Sequence, residues 1–112
     1  MASETPIEID VATVKQWLDA GKDFLFIDCR EPSEYETASI SGAELMPMSK
    51  WPEFAPRLES LRGKEAVVHC HHGGRSLRVA MWLRSNGFPD AQSMAGGIDA
   101  WSEQIDPQVT RY

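Results

Sequence analysis

The sequence predicts an α/β protein: an open, mainly parallel sheet with helices on both faces. Three observations predict it. "FLFID" (24–28) and "AVVHC" (66–70) are continuous apolar runs that end on a charged or nucleophilic residue. Such runs suit strands buried on both faces. Stretches of helical period stand between the extended segments, and the connections are short, as in chains that alternate strand and helix.

Each element has its own signal. Ile7 and Ile9 suit a short first strand, and Asp10 is placed to cap the helix that follows. Val14, Trp17 and Leu18 fall at i, i+3, i+4, and Gly21 stands where that helix should stop. After "FLFID", Pro32, Ser33, Ser39, Ser41 and Gly42 break the chain into a helical turn, a loop and a brief strand near Ala43–Met46. "WPEFAPRLESLRG" reads as a helix with Phe54, Leu58 and Leu61 on one face, Gly63 as its stop and an irregular first turn at Pro56. "SLRVAMWLRSNG" (76–87) reads as a helix turning Leu77, Ala80, Met81 and Arg84 inward, with Gly87 as its C-cap. "AQSM" (91–94) is a last strand, and "GGIDAW" (96–101) opens a last helix.

The 112 residues suit one domain, residues 1–112, with a core over about 7–104 and short tails. A chain of this length buries a real core without staples. The formal net charge of -6 offers no basic stripe for phosphate backbones, so the expectation is no nucleic-acid partner. No apolar run is long enough to cross a bilayer, and "MASETPIEID" has no basic start followed by an apolar stretch. The expected location is the cytoplasm, without membrane attachment. The cysteines are Cys29 and Cys70. Two cysteines in a reducing compartment do not make a disulfide framework, which leaves them as candidates for chemistry.

Both cysteines fall at the carboxyl end of a predicted strand, the edge where open α/β sheets bind ligands. Around Cys70 the loop "CHHGGRS" has the composition a thiolate needs. A free thiol ionises near pH 8.5, at about that value, and lower beside positive charge or a helix N-terminus. The helix that begins near Arg75–Ser76 offers unpaired N–H groups and the positive end of its dipole. Arg75 adds a fixed cation. Gly73 and Gly74 give the backbone room to turn successive N–H groups toward one point. The plain alternative is a core cysteine followed by an ordinary turn.

"CHHGGRS" resembles the active-site loop of rhodanese-type sulfurtransferases. "IDCREPSEY" resembles that family's Asp-x-Arg-Glu segment, "ISGA" its Gly-Ala turn and "AGGIDAW" its carboxy-terminal signature. The resemblance runs from Ile7 to Trp101, with the motifs in family order. It implies a rhodanese-like fold in which Cys70 accepts a sulfur atom as a persulfide and passes it on. By the same resemblance His71, His72, Gly73, Gly74, Arg75 and Ser76 form the substrate loop. Asp28 and Arg30 read as a brace for it, since a buried carboxylate beside a strand end needs a cationic partner, either Arg30 or Arg75. The implied partners are a small sulfur donor such as thiosulfate and a thiol or cyanide acceptor, with a sulfur-relay protein among the candidates. No metal or organic cofactor is implied. Two positions depart from the family. Ser39 stands where histidine is common, and Cys29 where an aliphatic residue is usual. Cys29 reads either as a small buried hydrophobe or as a resolving thiol for Cys70.

Rival readings use the same residues. Cysteine phosphatases or arsenate reductases of the related fold carry Cys-x5-Arg, whereas this chain has Cys70-x4-Arg75. The smaller ring suits one terminal sulfur better than a tetrahedral oxyanion. His69, Cys70, His71 and His72 invite a metal reading, but adjacent residues rarely close on one tetrahedral ion. A non-catalytic binding module would be expected to have lost the cysteine. Trp51, Trp82 and Trp101 suit either a partner surface or core packing. His71 and His72 either bind an anionic donor or face water.

Overall fold

In the computed structural model, which describes residues 5–112, strands and helices follow one another in the predicted order. Residues 1–4, the start of the expected N-terminal tail, lie outside the described residues. The strands are β1 (Glu8–Ile9), β2 (Leu25–Asp28), β3 (Glu44–Leu45), β4 (Ala66–His69) and β5 (Gln92–Met94). The helices are α1 (Val11–Asp19), α2 (Pro32–Thr37), α3 (Trp51–Ser60), α4 (Gly74–Arg84) and α5 (Gly97–Gln104). All the strand pairs are parallel, in the order β1-β5-β4-β2-β3.

Every residue of β2 and β4 is buried, as the unbroken apolar runs require. Their side chains alternate between two cores. Leu25, Ile27, Ala66 and Val68 pack with Leu58 of α3 and Val79, Ala80 and Leu83 of α4. Phe26 and Val67 pack on the other face with Val11 and Val14 of α1 and Ile98 and Trp101 of α5. Helices therefore cover both faces.

The order of strands also makes a crevice. From β2 the chain moves outward to β3, while from β4 it moves the opposite way to β5. The two carboxyl ends are neighbours, so the connections diverge between them, which is the switch point where open α/β sheets hold ligands. Cys29 and Cys70 are the residues that leave those two strands.

Local signals behave as their chemistry demands. The Thr13 amide donates to Asp10 Oδ1 at 2.8 Å, capping α1. Other details differ from expectation. Helix α4 starts two residues early, at Gly74, and ends at Arg84. Its buried face is Ser76, Val79, Ala80 and Leu83, at i, i+3, i+4, i+7, while Met81 is 58% exposed. The strand end and the glycine turn set that phase, and the short apolar pattern alone did not determine it. Arg84 is half-buried because its guanidinium caps the carbonyls of Thr5, Pro6 and Ala91. Helix α3 runs through Pro56, and the irregular turn is instead a 3-10 turn over Met48–Lys50 that precedes it. Proline gives up one helix bond but leaves the short helix continuous. Trp101 is core at 5% exposure, whereas Trp82 is 48% exposed and stacks on Trp51.

Candidate active site

β4 delivers Cys70 to the crevice, and the turn to α4 then folds back over its sulfur. Gly73 makes that turn possible. Its φ of 112° lies in the left-handed region, which other residues rarely adopt. Gly74 has no such φ and is an ordinary first helical residue, so only one glycine of the pair is conformationally required. The result is a set of donors aimed at Cys70 Sγ. The Gly73 amide donates at 3.1 Å and the Ser76 amide at 3.3 Å. Ser76 Oγ lies 3.4 Å away and accepts from the neutral thiol. Toward a thiolate the same hydroxyl reverses and donates.

These contacts decide the ionisation state. The pKa of Cys70 is lowered to about 4, first by the bond from the Cys29 thiol, against the opposing effect of burial, and then by the Ser76 hydroxyl and the Ser76 and Gly73 amides. Cys29 moves the other way: its bond to Cys70 and its burial push its pKa far up. Of the two thiols, Cys70 ionises and Cys29 keeps its proton.

A second layer holds the loop. The Ile98 amide donates to the Cys70 carbonyl at 2.9 Å, and the Asp99 amide to the His71 carbonyl at 3.1 Å. The N-terminus of α5 is thus docked on the loop through its first free N–H groups. Gly97 permits the approach, since a Cβ there would fall on the carbonyl oxygens of Cys70 and His71. Ser76 Oγ is 2.7 Å from Ser93 Oγ of β5, which fixes the buried hydroxyl from behind.

Asp28 and Arg30 form a fully buried pair. Arg30 Nε and Nη2 donate to the two Asp28 oxygens at 2.9 and 2.7 Å, and the Arg30 amide adds a bond at 3.0 Å. Arg30 also reaches the Ala38 carbonyl and the Tyr112 hydroxyl. The cation that partners Asp28 is therefore Arg30. Arg75 is engaged elsewhere: its Nη1 and Nη2 donate to Glu34 of α2 at 2.7 and 2.9 Å. That fork holds the Glu34 carboxyl down at about 2 against burial, with help from the Tyr112 hydroxyl.

Of the two histidines in the loop, His71 is half-buried, stacked on Tyr112 at 3.9 Å and 8°. His72 is exposed and stacks on the other side of His71. His71, His72 and Asp99 bring ligand atoms within 4.8 Å of one another. Arg111 already occupies both Asp99 oxygens, at 3.0 and 3.3 Å. His69 stands apart from the loop histidines, fully buried at the end of β4 with its ring against Phe26. Ser39 is exposed on a groove of about 620 Å³ whose lining does not include Cys70.

Sequence reasoning missed Glu34, Ser93, Gly97 and Tyr112 as parts of this site. Ser93 carried a readable signal, a hydroxyl inside a buried strand that needs a partner. Gly97 belongs to a motif noticed only by resemblance. Glu34 and Tyr112 carried none, since their contacts with Arg75 and Arg30 span 41 and 82 residues. No helix among the described residues is long and apolar enough to cross a membrane.

Comparison with known proteins finds the same pattern. The rhodanese-like domain family matches residues 10–104. The chain is 41% identical over 88 residues to the Rhodanese-like/PpiC domain-containing protein 12, chloroplastic, of Arabidopsis thaliana, covering 77% of this chain and 29% of that protein. It is 30% identical over 103 residues to Thiosulfate sulfurtransferase GlpE of Pseudoalteromonas translucida, covering 92% of this chain and 95% of that one. The crystal structure of a rhodanese-like domain protein from Staphylococcus aureus superposes with a TM-score of 0.78 at 26% identity, covering 96% and 99% of the two chains. Several of the curated relatives are far longer, and the chain spans 21% to 29% of their length.

Proposed function

The chain belongs to the rhodanese-like domain family, and we propose that it is a sulfurtransferase, one rhodanese domain over about residues 7–104, with Cys70 as the sulfur-carrying nucleophile. One observation carries the reading. Cys70 Sγ sits at the switch point of the sheet under the amides of Gly73 and Ser76, with its pKa lowered to about 4. A buried thiolate with preorganised donors is a nucleophile by construction.

In the first half-reaction the Cys70 thiolate attacks the outer sulfur of a donor such as thiosulfate. The sulfur–sulfur bond of the donor breaks, sulfite leaves with the electron pair, and a persulfide remains on Cys70. In the second, a thiolate, cyanide or a protein acceptor attacks the outer sulfur and Cys70 returns as thiolate. The amides that face Sγ hold the anion in the sulfur-free state, and in the persulfide the charge moves to the outer sulfur. Arg75 is held by the Glu34 fork, and an anionic donor binds by taking over part of that fork. His71, His72, Gly74 and Ser76 complete the donor-binding loop. Asp28 and Arg30 act from beneath as the brace that fixes the end of β2. The cytoplasm is the compartment that suits two free thiols.

Steady-state transfer from thiosulfate to cyanide, read as thiocyanate, tests the proposal. Double-displacement kinetics are expected, with no turnover in Cys70→Ser. Arg75→Ala should raise KM for thiosulfate about tenfold, with incomplete recovery in Arg75→Lys, which lacks the planar fork. Turnover by Cys70→Ser would refute the assignment of the nucleophile.

A further inference from the structure

Cys29 has no step in sulfur transfer, yet it is the neighbour of Cys70 across the sheet. Asp28 pairs with His69, and the Cys29 amide donates to the His69 carbonyl at 3.1 Å. In a parallel ladder that bond sets residue 29 beside residue 70. Adjacent strands lie about 4.8 Å apart, inside the Cα separation of about 4.4–6.8 Å that a disulfide spans. The alternation of β2 and β4 puts both side chains on one face, in the same core cluster. Both thiols are free and buried, Cys29 at 0% exposure. The sequence holds no other cysteine. An enclosed thiol of this kind is reachable by one sulfur only, that of Cys70.

We propose that Cys29 and Cys70 form a redox modification site, in which a hydroperoxide oxidises Cys70 and Cys29 resolves it as an intramolecular disulfide. In the first step Cys70 Sγ attacks the nearer peroxide oxygen. The O–O bond breaks, the sulfur gives up two electrons to become a sulfenic acid, and the other oxygen leaves as hydroxide or alkoxide and takes a proton. In the second step Cys29 Sγ attacks Cys70 Sγ. The S–S bond forms, the S–O bond breaks, and the Cys29 proton departs with the hydroxide as water. A dithiol reductant returns both cysteines to thiols. The gain is protection, because a sulfenic acid left unresolved proceeds to sulfinic and sulfonic acids that dithiols do not reverse. The cost is a nucleophile silenced while the disulfide stands. This inference needs the pair and an oxidant only, and it holds whether or not sulfur transfer is the chain's activity.

The test uses the full chain with no sulfur donor present. It is exposed to hydrogen peroxide in slight excess, denatured in an alkylating agent, and read by intact mass, peptide mapping and a non-reducing gel. Wild type should lose two hydrogens, take no alkyl group, yield one linked peptide pair joining Cys29 to Cys70, stay monomeric on the gel, and recover fully with dithiothreitol. In Cys29→Ala, Cys70 should instead gain two or three oxygens, and the fraction recovered by dithiothreitol should fall about tenfold. Wild type that adds oxygens at Cys70 while Cys29 remains alkylatable overturns the proposal, as does a disulfide formed only between chains. The wild-type peptide map decides the matter even if Cys29→Ala does not fold.

Discussion

At the scale of the residue, the chemistry turns on one sulfur and the donors around it. An alkylating reagent such as iodoacetamide reads the ionised fraction directly, because it reacts with thiolate. With the pKa of Cys70 lowered to about 4, its alkylation rate should be flat through neutral pH and fall as pH drops through that value. Ser76→Ala removes a donor that favours the anion, so the midpoint should rise, by about one unit. A wild-type rate that climbs between pH 8 and 9, as about an ordinary thiol's would, contradicts the assigned environment. Cys70 was legible in the sequence because a cysteine at a strand end, followed by glycine and arginine, has few plain uses. Its most influential neighbour was not. Cys29 acts on Cys70 only because β2 and β4 are adjacent and in register, and register is a property of the sheet, not of either segment.

At the scale of the element, the loop is shaped by two helix starts. α4 supplies the Ser76 amide, and α5 pins the loop from outside through Ile98 and Asp99. The two glycine positions predict opposite outcomes. Gly97 has a φ of 60° and lies against the carbonyls of Cys70 and His71. Gly97→Ala should therefore destabilise the protein by roughly 2–3 kcal/mol in urea unfolding and slow sulfur transfer as the loop shifts. Gly74 has open space around it and helical geometry, so Gly74→Ala should leave stability unchanged or raise it by up to about 1 kcal/mol. Equal losses at both positions would contradict this account of the loop. The existence and order of the elements were legible because β2 and β4, buried on both faces, read as unbroken apolar runs between stretches of helical period. The inward face of α4 was not. Its apolar residues admit two phases, and the strand end and the Gly73 turn choose the one that brings Ser76 inward to Cys70 and Ser93.

At the scale of the whole molecule, the switch point sets the two cysteines side by side, and the Asp28–Arg30 pair anchors it. Both partners are fully buried, and Arg30 ties β2 to the segment after α2 and to Tyr112. Arg30→Met should cost about 3–5 kcal/mol of unfolding free energy, because it leaves a buried carboxylate unpaired. Asp28→Asn combined with Arg30→Met should recover part of that loss. Additive losses would show that the pair is not coupled. The pair was legible as a charge at a strand end in need of a cation, but not which of two arginines would serve. Arg75 had equal claim until Glu34, distant in sequence, took its fork.

The central claim is that Cys70 carries the transferred sulfur, and intact mass tests it most directly. The protein is incubated with thiosulfate and measured before and after cyanide. The account predicts that wild type gains the mass of one sulfur atom, that cyanide or dithiothreitol removes it, that peptide mapping places it on Cys70, and that Cys70→Ser gains nothing. A sulfur atom carried on Cys29, or retained by Cys70→Ser, would contradict it.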